Sequence, residues 1–503
     1  MAHGRGSGST EIDEPSERAW TAQRIVNRWW KFYDGKPSVK ALTRLQFAEH
    51  IAYLLFLKLD YERAQRPGRF AAKPVATAGT WPALVLLGGE DLHTRLTRIM
   101  DDLGAPNPSD PRRETASVLF HDAQPWPVDR MSELRELIVD EFDPYRWIQI
   151  PYEELGQAFS QLLADCREDL LTKRQTGQIL TPPPLFDAIA EALDLTPDDR
   201  VVDPAAGIGS SLIAAHRKMA RDGRRVDAEA IAAADIDPQM CRFATMNVLL
   251  NTGRLFSEVP PVQRADSLKT KYLNARRLDR DMAASVAICN PPFKSGDVVP
   301  DVEQRDDFWA QKADLPTNFL QHLAITLPRG ARAAVFVPDG VLFGNGAAAT
   351  VRQALLKNCD VHTLMRLPTG IFHGTNSKSN ILFFTKSVPR PDDEPLTREL
   401  WVYDARTDNH HTDTGRPLTK GDLDDFLLAY RGGSDGTGRI ESDRFRRYSG
   451  KELLDRPRAD LNLWAHVTAD LDEFGSPRDI ALAIAAQLDE AGQRFRTVAE
   501  TLA

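Results

Sequence analysis

The sequence predicts an α/β protein: a doubly wound sheet domain preceded by an α-helical domain and followed by a helical C-terminal region. Two observations carry this. Between residues 200 and 405, short apolar runs rich in β-branched residues alternate with helical segments, the pattern of crossover units on a largely parallel sheet. Between 18 and 150, apolar residues recur three and four positions apart, the period of helices with a buried face. The length, 503 residues, suits two to four domains at roughly 100–200 residues each. A composition of 42% hydrophobic and 27% charged residues excludes a mainly disordered or fibrous chain.

Residues 1–17, rich in Gly, Ser and Glu, are expected to form a disordered tail. The helical domain, 18–150, is broken by Pro/Gly loops such as RPGRF and APNPSDP. Its clearest helix is RLQFAEHIAYLLFLKLDYE, with Leu45, Phe47, Ile51, Leu54, Leu55 and Leu59 on the helical period. Nearby, Arg24, Arg28, Trp29, Trp30, Lys31, Phe32 and Tyr33 mix base-stacking with phosphate-binding types. Core aromatics beside a solvated basic face are the favoured reading of that cluster.

The sheet domain, 151–415, holds the strand candidates RVVDP (200–204), AEAIAAADID (228–237), ASVAICN (284–290), ARAAVFVPD (331–339), HTLMRLP (362–368), SNILFFTK (379–386) and ELWVYDA (399–405). A doubly wound sheet places its ligands at the carboxyl ends of its strands, so the residues closing each run matter most. The last region, 416–503, is polar and helical. Within 476–503, Ile480, Leu482, Ile484, Leu488, Phe495, Val498 and Leu502 mark a helix suited to docking on a partner or on its own domain.

With 63 basic and 72 acidic residues the formal net charge is −9, which argues against holding nucleic acid by bulk electrostatics. After residue 386 there are 16 basic and 23 acidic residues, a poor basis for an autonomous DNA-recognition domain. No apolar run approaches the roughly 18 residues that span a bilayer, and MAHGRGSGSTEIDEPSE has no apolar signal core, so a cytoplasmic chain is expected. Cys166, Cys241, Cys289 and Cys359 lie far apart without a C-x-x-C pair and read as reduced core residues, and no metal site is expected. His410 and His411, in DNHHTD, read as a polar loop rather than as ligands.

The first strand candidate ends in Asp203 and runs through Pro204, Ala205, Ala206, Gly207, Ile208 and Gly209 into a helix. Glycines at such a turn let a ligand approach the backbone, and the helix N-terminus offers free N–H groups. The second run closes on Asp235, placed to accept a ribose diol. No second G-x-G-x-x-G unit for a pyrophosphate follows, which favours a nucleoside-type cofactor over a dinucleotide. Asp266, in Asp266-Ser267-Leu268, is a candidate third-strand tip that could bond an adenine ring.

The run ASVAIC delivers Asn290, Pro291, Pro292 and Phe293 at a strand end. An exocyclic amine on adenine is a poor nucleophile because its lone pair is delocalised into the ring. The Asn290 side-chain oxygen and the Pro291 carbonyl, accepting its two N–H protons, favour a pyramidal nitrogen with the lone pair free. The prolines fix φ and hold that carbonyl, and Phe293 offers a face on which an extruded base stacks. No strong general base is required, since the nitrogen gives up its proton readily once methylated. Alignment of amine, methyl and sulfur does the rest.

In order, GQILTPPPLFDAIAEAL (177–193), DPAAGIGS (203–210), ADIDP (234–238), ADSL (265–268) and NPPF (290–293) resemble the successive motifs of S-adenosylmethionine-dependent N6-adenine DNA methyltransferases, in particular the modification subunit of type I restriction-modification systems. The similarity continues through 318–344, 367–386 and 446–463 and reaches the N-terminal helices, so it covers nearly the whole chain. It implies a Rossmann-like methyltransferase fold for 151–415 and S-adenosyl-L-methionine as cofactor. It implies that Thr181 and Pro182 close over the methionine end, that Asp203, Ala205, Gly207 and Gly209 form the cofactor loop, and that Asp235 and Asp266 take the ribose and the adenine. Asn290, Pro291, Pro292 and Phe293 are then catalytic. The chain departs from the family pattern D-P-A-C-G-T-G-G at Ala206, Ile208 and Ser210, and has Leu180 where the family carries an aromatic in the closing segment.

The reading is therefore an adenine-N6, site-specific DNA methyltransferase subunit of a prokaryotic restriction-modification or related defence system. It acts on a flipped adenine of double-stranded DNA. It works in a hetero-oligomer whose specificity subunit, and whose restriction nuclease subunit where the system cleaves, are separate chains. Two alternatives stay open: methylation of RNA or of a protein amide nitrogen, which N-P-P-[FY] strand ends also serve, and a non-catalytic DNA- or cofactor-binding member of a defence assembly.

Overall fold

A computed structural model describes residues 20–67, 73–77, 79–172, 181–269, 283–293, 305–368, 370–372, 378–388, 394–406, 411, 416–432 and 438–463. The N-terminal region is helical: α1 (Ala22–Asp34), α2 (Arg44–Ala64), α3 (Thr80–Leu86), α4 (Gly89–Gly104), α5 (Arg113–Phe120), α6 (Met131–Glu136), α7 (Tyr152–Asp165) and α8 (Arg167–Thr172). Although α7 and α8 lie beyond residue 150, their Leu155, Phe159, Leu162, Leu163 and Leu170 join the same core as α1 and α2.

Thr43 starts α2 through a capping box with Gln46, each side chain bonding the other's backbone N–H. The apolar stripe of the sequence is only part of its buried surface. Glu49, Lys58, Asp60 and Glu62 are buried as well. Each charge has a partner: Lys58 donates to the Asp143 carbonyl at 3.0 Å, Asp60 accepts from the backbone of Val75 and Ala76 at 3.0 and 2.9 Å, and Glu62 from that of Ile148 at 2.8 Å. A helix enclosed on all sides tolerates ionisable groups only on those terms. In α1, Trp29, Phe32 and Tyr33 are core residues, Arg28 pairs with Glu141 at 2.5 Å, and Trp30 donates to Asp165 at 2.7 Å. Arg24 and Lys31 are exposed, so the cluster is a set of core aromatics beside a solvated basic face.

The strands are β1 (Val201–Asp203), β2 (Ile231–Asp235), β3 (Val262–Arg264), β4 (Val286–Cys289), β5 (Arg332–Pro338), β6 (Asp360–Arg366), β7 (Ser379–Thr385), β8 (Glu399–Asp404) and β9 (Phe445–Ser449). They form one sheet in the order β3-β2-β1-β4-β5-β7-β6-β8-β9. From β3 to β5 every pairing is parallel, whereas β7 runs antiparallel between β5 and β6. The central strands are buried along their length, which is why each reads as an unbroken apolar run. After β1 the chain winds outward to β2 and β3, then crosses to β4 on the other side of β1. That switch opens a crevice at the carboxyl ends of β1 and β4.

Helices α9 (Pro183–Ala192), α10 (Ser210–Met219), α11 (Pro238–Asn251), α12 (Leu315–Thr326), α13 (Asp339–Phe343), α14 (Ala347–Asn358), α15 (Asp424–Tyr430) and α16 (Gly450–Asp455) belong to this sheet region. Asp237 caps α11 by accepting from the backbone of Gln239 and Met240, with Pro238 at the first helical position. Met240, Phe243, Met246 and Leu249 of α11 enter the helical core, while Cys241, Ala244 and Val248 enter the core on the sheet.

Within the stretch expected to be helical, 416–463 carries the edge strand β9 as well as α15 and α16. Beyond β9 the chain returns to the sheet's carboxyl edge, where the Arg352 guanidinium donates to the carbonyls of Val341, Gly344, Arg458 and Ala459 at 2.8 to 3.0 Å. The docking helix expected at 476–503, the tail at 1–17 and Leu180 lie outside the described residues. All four cysteines are buried and free. His411 is 4% exposed, with its Nδ1 3.2 Å from the Arg416 carbonyl oxygen, and His410 lies outside the described residues. Among the described residues no helix is long and apolar enough to cross a membrane.

Candidate functional site

The carboxyl ends of β1 to β4 bring the sequence-derived residues to one edge of the sheet. Asp203, the last residue of β1, is 2% exposed and turned into the protein. Its oxygens accept from the backbone of Ala205 at 2.9 Å and from the hydroxyl of Ser211. It therefore pins the glycine loop to the start of α10. Burial pushes its carboxyl up to about 7, against the opposing pull of those hydrogen bonds.

Gly207 and Gly209 both have positive φ, +53° and +81°. A Cβ on Gly209 would come within 2.7 Å of Val248 Cγ2, so only glycine fits there. A Cβ on Gly207 would meet nothing within 4 Å among its neighbours; that open space is where a ligand can lie against the backbone. Between them, Ile208 packs on the helical core and its carbonyl accepts from Asn247 Nδ2 at 2.9 Å. Ser160 of α7 donates to Asn247 Oδ1 at 2.7 Å, which ties the loop to the helical region.

Asp235 closes β2 beside that loop. Its oxygens accept from the backbone of Gly207 and Asp237, each at 2.9 Å, and burial raises its carboxyl to about 6. Two backbone bonds leave lone pairs on the carboxylate for a diol. The next residue, Ile236, is 65% exposed, an apolar side chain presented between two acids at the mouth of the crevice. Sequence reasoning passed over it; the signal was the alternation Asp-Ile-Asp at a strand tip. Asp266 is half-buried beyond β3, and its neighbour Ser267 donates to the Pro204 carbonyl at 2.8 Å, joining the third loop to the first.

Asn290 follows β4. Its Nδ2 donates to Thr181 Oγ1 at 2.6 Å. Its Oδ1 is buried with no hydrogen-bond partner among the described residues. Pro291 is buried, and Phe293 is half-buried with its ring edge-on to Phe372 at 6.4 Å between centroids. Phe372 in turn meets Phe336 of β5 at 6.3 Å, and Phe336 meets Phe186 of α9 at 5.7 Å. No pattern in the sequence marked Phe372 as the support of Phe293. Thr181 and Pro182 lead into α9, with Pro182 at its cap and Pro183 at the first helical position. The structure thus brings Thr181 to Asn290.

An orphaned buried acceptor, an open glycine cradle, a carboxylate with spare lone pairs and an exposed apolar residue line one edge. They fit a nucleoside with a cationic or neutral tail lying along β1 and β2, and an amine donor arriving over β4.

Comparison with known proteins agrees with this geometry. The N-6 DNA Methylase family model matches residues 152–447. The chain is 30% identical over 425 residues to the type I restriction enzyme StySJI methylase subunit of Salmonella typhimurium, covering 81% of this chain and 76% of that protein. It is 28% identical to the EcoKI methylase subunit of Escherichia coli, with the same coverage of both. The fold is similar to that of the type I restriction-modification methyltransferase subunit from Streptococcus thermophilus, with TM-score 0.65, 17% identity, and 88% and 98% of the two chains covered.

Proposed function

Because this chain belongs to the N-6 DNA methylase family, we propose that its crevice transfers a methyl group from S-adenosyl-L-methionine to N6 of an adenine flipped out of double-stranded DNA. The observation that carries this is Asn290 Oδ1, buried and without a partner among the described residues at the end of β4, the strand paired with β1, which leads into the Gly207 cradle. An unsatisfied buried acceptor is expensive unless a ligand supplies the donor.

The residues divide the work by position. Gly207 and Gly209 would let the cofactor lie on the backbone, Asp235 would accept its ribose hydroxyls, Ile236 would cover its adenine face, and Asp266 would take the adenine edge. Asp203 acts from behind, by holding the loop to α10. S-adenosylmethionine supplies, when bound, a methyl group on a positively charged sulfur. Asn290 Oδ1 and the Pro291 carbonyl accept the two protons of the target amine, which frees the nitrogen lone pair. Phe293 stacks the extruded base, and its edge-on contact with Phe372 keeps it in place.

The net charge of −9 and the acidic balance after residue 386 suit a catalytic subunit that takes its sequence specificity from a partner chain. We assign it to a prokaryotic modification complex with a specificity subunit and, where the system cleaves, a restriction subunit, located in the cytoplasm. The test is methyl transfer from labelled S-adenosylmethionine to DNA, RNA and protein offered together. Label in DNA as N6-methyladenine is expected; label confined to RNA or protein would sink the assignment.

A further inference from the structure

The side-chain amide of Asn290 has two chemically opposite ends of nearly the same shape. With Oδ1 toward the target it takes N–H donors. With Nδ2 toward the target it would take a carbonyl oxygen and could not hold an amine. Half a turn about one bond separates a site for adenine from a site for the oxygen-bearing edge of another base.

Two observations show which end faces inward. Nδ2 donates to Thr181 Oγ1 at 2.6 Å, a short bond for this pair. Oδ1 is buried and has no partner among the described residues, so the reacting end is the acceptor. Reversal would turn two N–H donors toward the target, where an amine offers donors of its own. Thr181 is held in turn. It precedes three prolines of fixed φ, Pro182 to Pro184, and the helix they start, α9, is anchored by buried Leu185, Phe186 and Ile189 and by the Phe186–Phe336 ring contact. The hydroxyl is therefore placed by the fold and not by the cofactor.

We propose that Thr181 is a positioning residue for methyl transfer, whose hydroxyl holds the Asn290 amide with Oδ1 toward the target nitrogen. The proposal rests on the adenine-methylating reading above and differs from a purely cofactor-closing role for Thr181 in what its loss should change. A cofactor contact acts on cofactor affinity, whereas a residue that orients Asn290 acts on turnover once both substrates are bound.

The experiment uses the complex purified from its host through a tag on the full-length chain, with tritiated S-adenosylmethionine and host DNA lacking the modification. Dissociation constants for S-adenosylmethionine are measured by calorimetry, and thermal melts verify the fold. Thr181→Val, which keeps the shape without the hydroxyl, is expected to lower kcat about 10- to 100-fold while the cofactor Kd moves less than about threefold. Thr181→Ser is expected to recover most of the turnover. An unaltered kcat in Thr181→Val, a defect confined to cofactor affinity, or a Thr181→Ser enzyme as slow as Thr181→Val would each overturn the proposal. A wild-type complex that binds S-adenosylmethionine yet leaves DNA unmethylated would instead overturn the parent reading, before any variant is compared.

Discussion

Arg242 on α11 and Glu49 on α2 form an ion pair between the helical region and the sheet, with only 5% and 10% of their side chains exposed. Arg242 also donates to the carbonyls of Leu119 and His121 at 2.8 and 2.6 Å, and Glu49 accepts from Gln239 and Tyr53, both at 3.0 Å. Since α11 begins just beyond Asp235, this pair anchors the helix that leaves the proposed cofactor site. Removing one partner strands the other charge in the interior. Glu49→Ala and Arg242→Ala are each expected to cost about 3–5 kcal/mol in denaturant unfolding, and the double change Glu49→Leu with Arg242→Met less than either.

Asn290→Ala removes the acceptor and, with it, the Nδ2 bond to Thr181, whose own place is set by the prolines that lead into α9. Turnover on DNA should fall on the order of 10²–10³-fold with S-adenosylmethionine affinity retained. Steady-state kinetics and calorimetry check the two halves, and a loss of affinity matching the loss of rate would contradict the role given to this residue.

The two loop glycines should fail differently. Gly209→Ala meets Val248 in a backbone conformation that L residues avoid, so a stability loss of about 1–3 kcal/mol is expected. Gly207→Ala carries only the backbone strain, about 1 kcal/mol, but its methyl enters the open cradle. Its cofactor affinity should drop out of proportion to its Tm.

Asp203 and Asp235 have carboxyls raised by burial to about 7 and about 6, so folding favours their neutral forms. Their favourable contribution to the ligand-free protein is complete below the ordinary carboxylate value of 3.8 and is lost as pH rises through 6 and 7. Melting from pH 5 to 8 should show this decline, and Asp203→Asn, a neutral isostere, should flatten it. A ribose diol donating to Asp235 favours its ionised form. Cofactor binding near pH 6 should accordingly release protons, measurable by calorimetry in buffers of different ionisation heat.

Arg352 holds four carbonyls with one fully buried guanidinium, and two of them belong to Arg458 and Ala459, both at positive φ. Arg352→Lys cannot span that set. A stability loss of about 2–3 kcal/mol and early proteolysis near residue 458 are expected; an unaltered digestion pattern would show that the returning segment is held by other contacts.

The strand tips were legible because parallel strands buried on both faces leave unbroken apolar runs, each ending at a residue given a role in the proposed reaction: Asp203, Asp235, Asn290. The insertion of β7 between β5 and β6 was not, since SNILFFT reads the same whichever way it pairs. Strand β9 escaped notice because FRRYS buries Phe445 at one end of an otherwise polar, partly exposed edge. The charges inside α2 were invisible for another reason. Their partners, such as Asp143 and Ile148, lie some 85 residues away in the chain. Within the site, Asn290 and the glycines carried their own signal, while Phe372 and the Thr181 hydroxyl matter only through what the fold sets beside them.

A helix that lends one face to each of two cores removes the seam along which a protein is usually taken apart. With Met240, Phe243 and Met246 on one side of α11 and Cys241, Ala244 and Val248 on the other, the helical region and the sheet should melt as one cooperative unit. Neither half could be traded for a relative's counterpart unless α11 were rebuilt with it. Divergence here must proceed by matched changes on both faces of a single helix, and recombination between family members should succeed at breakpoints outside it.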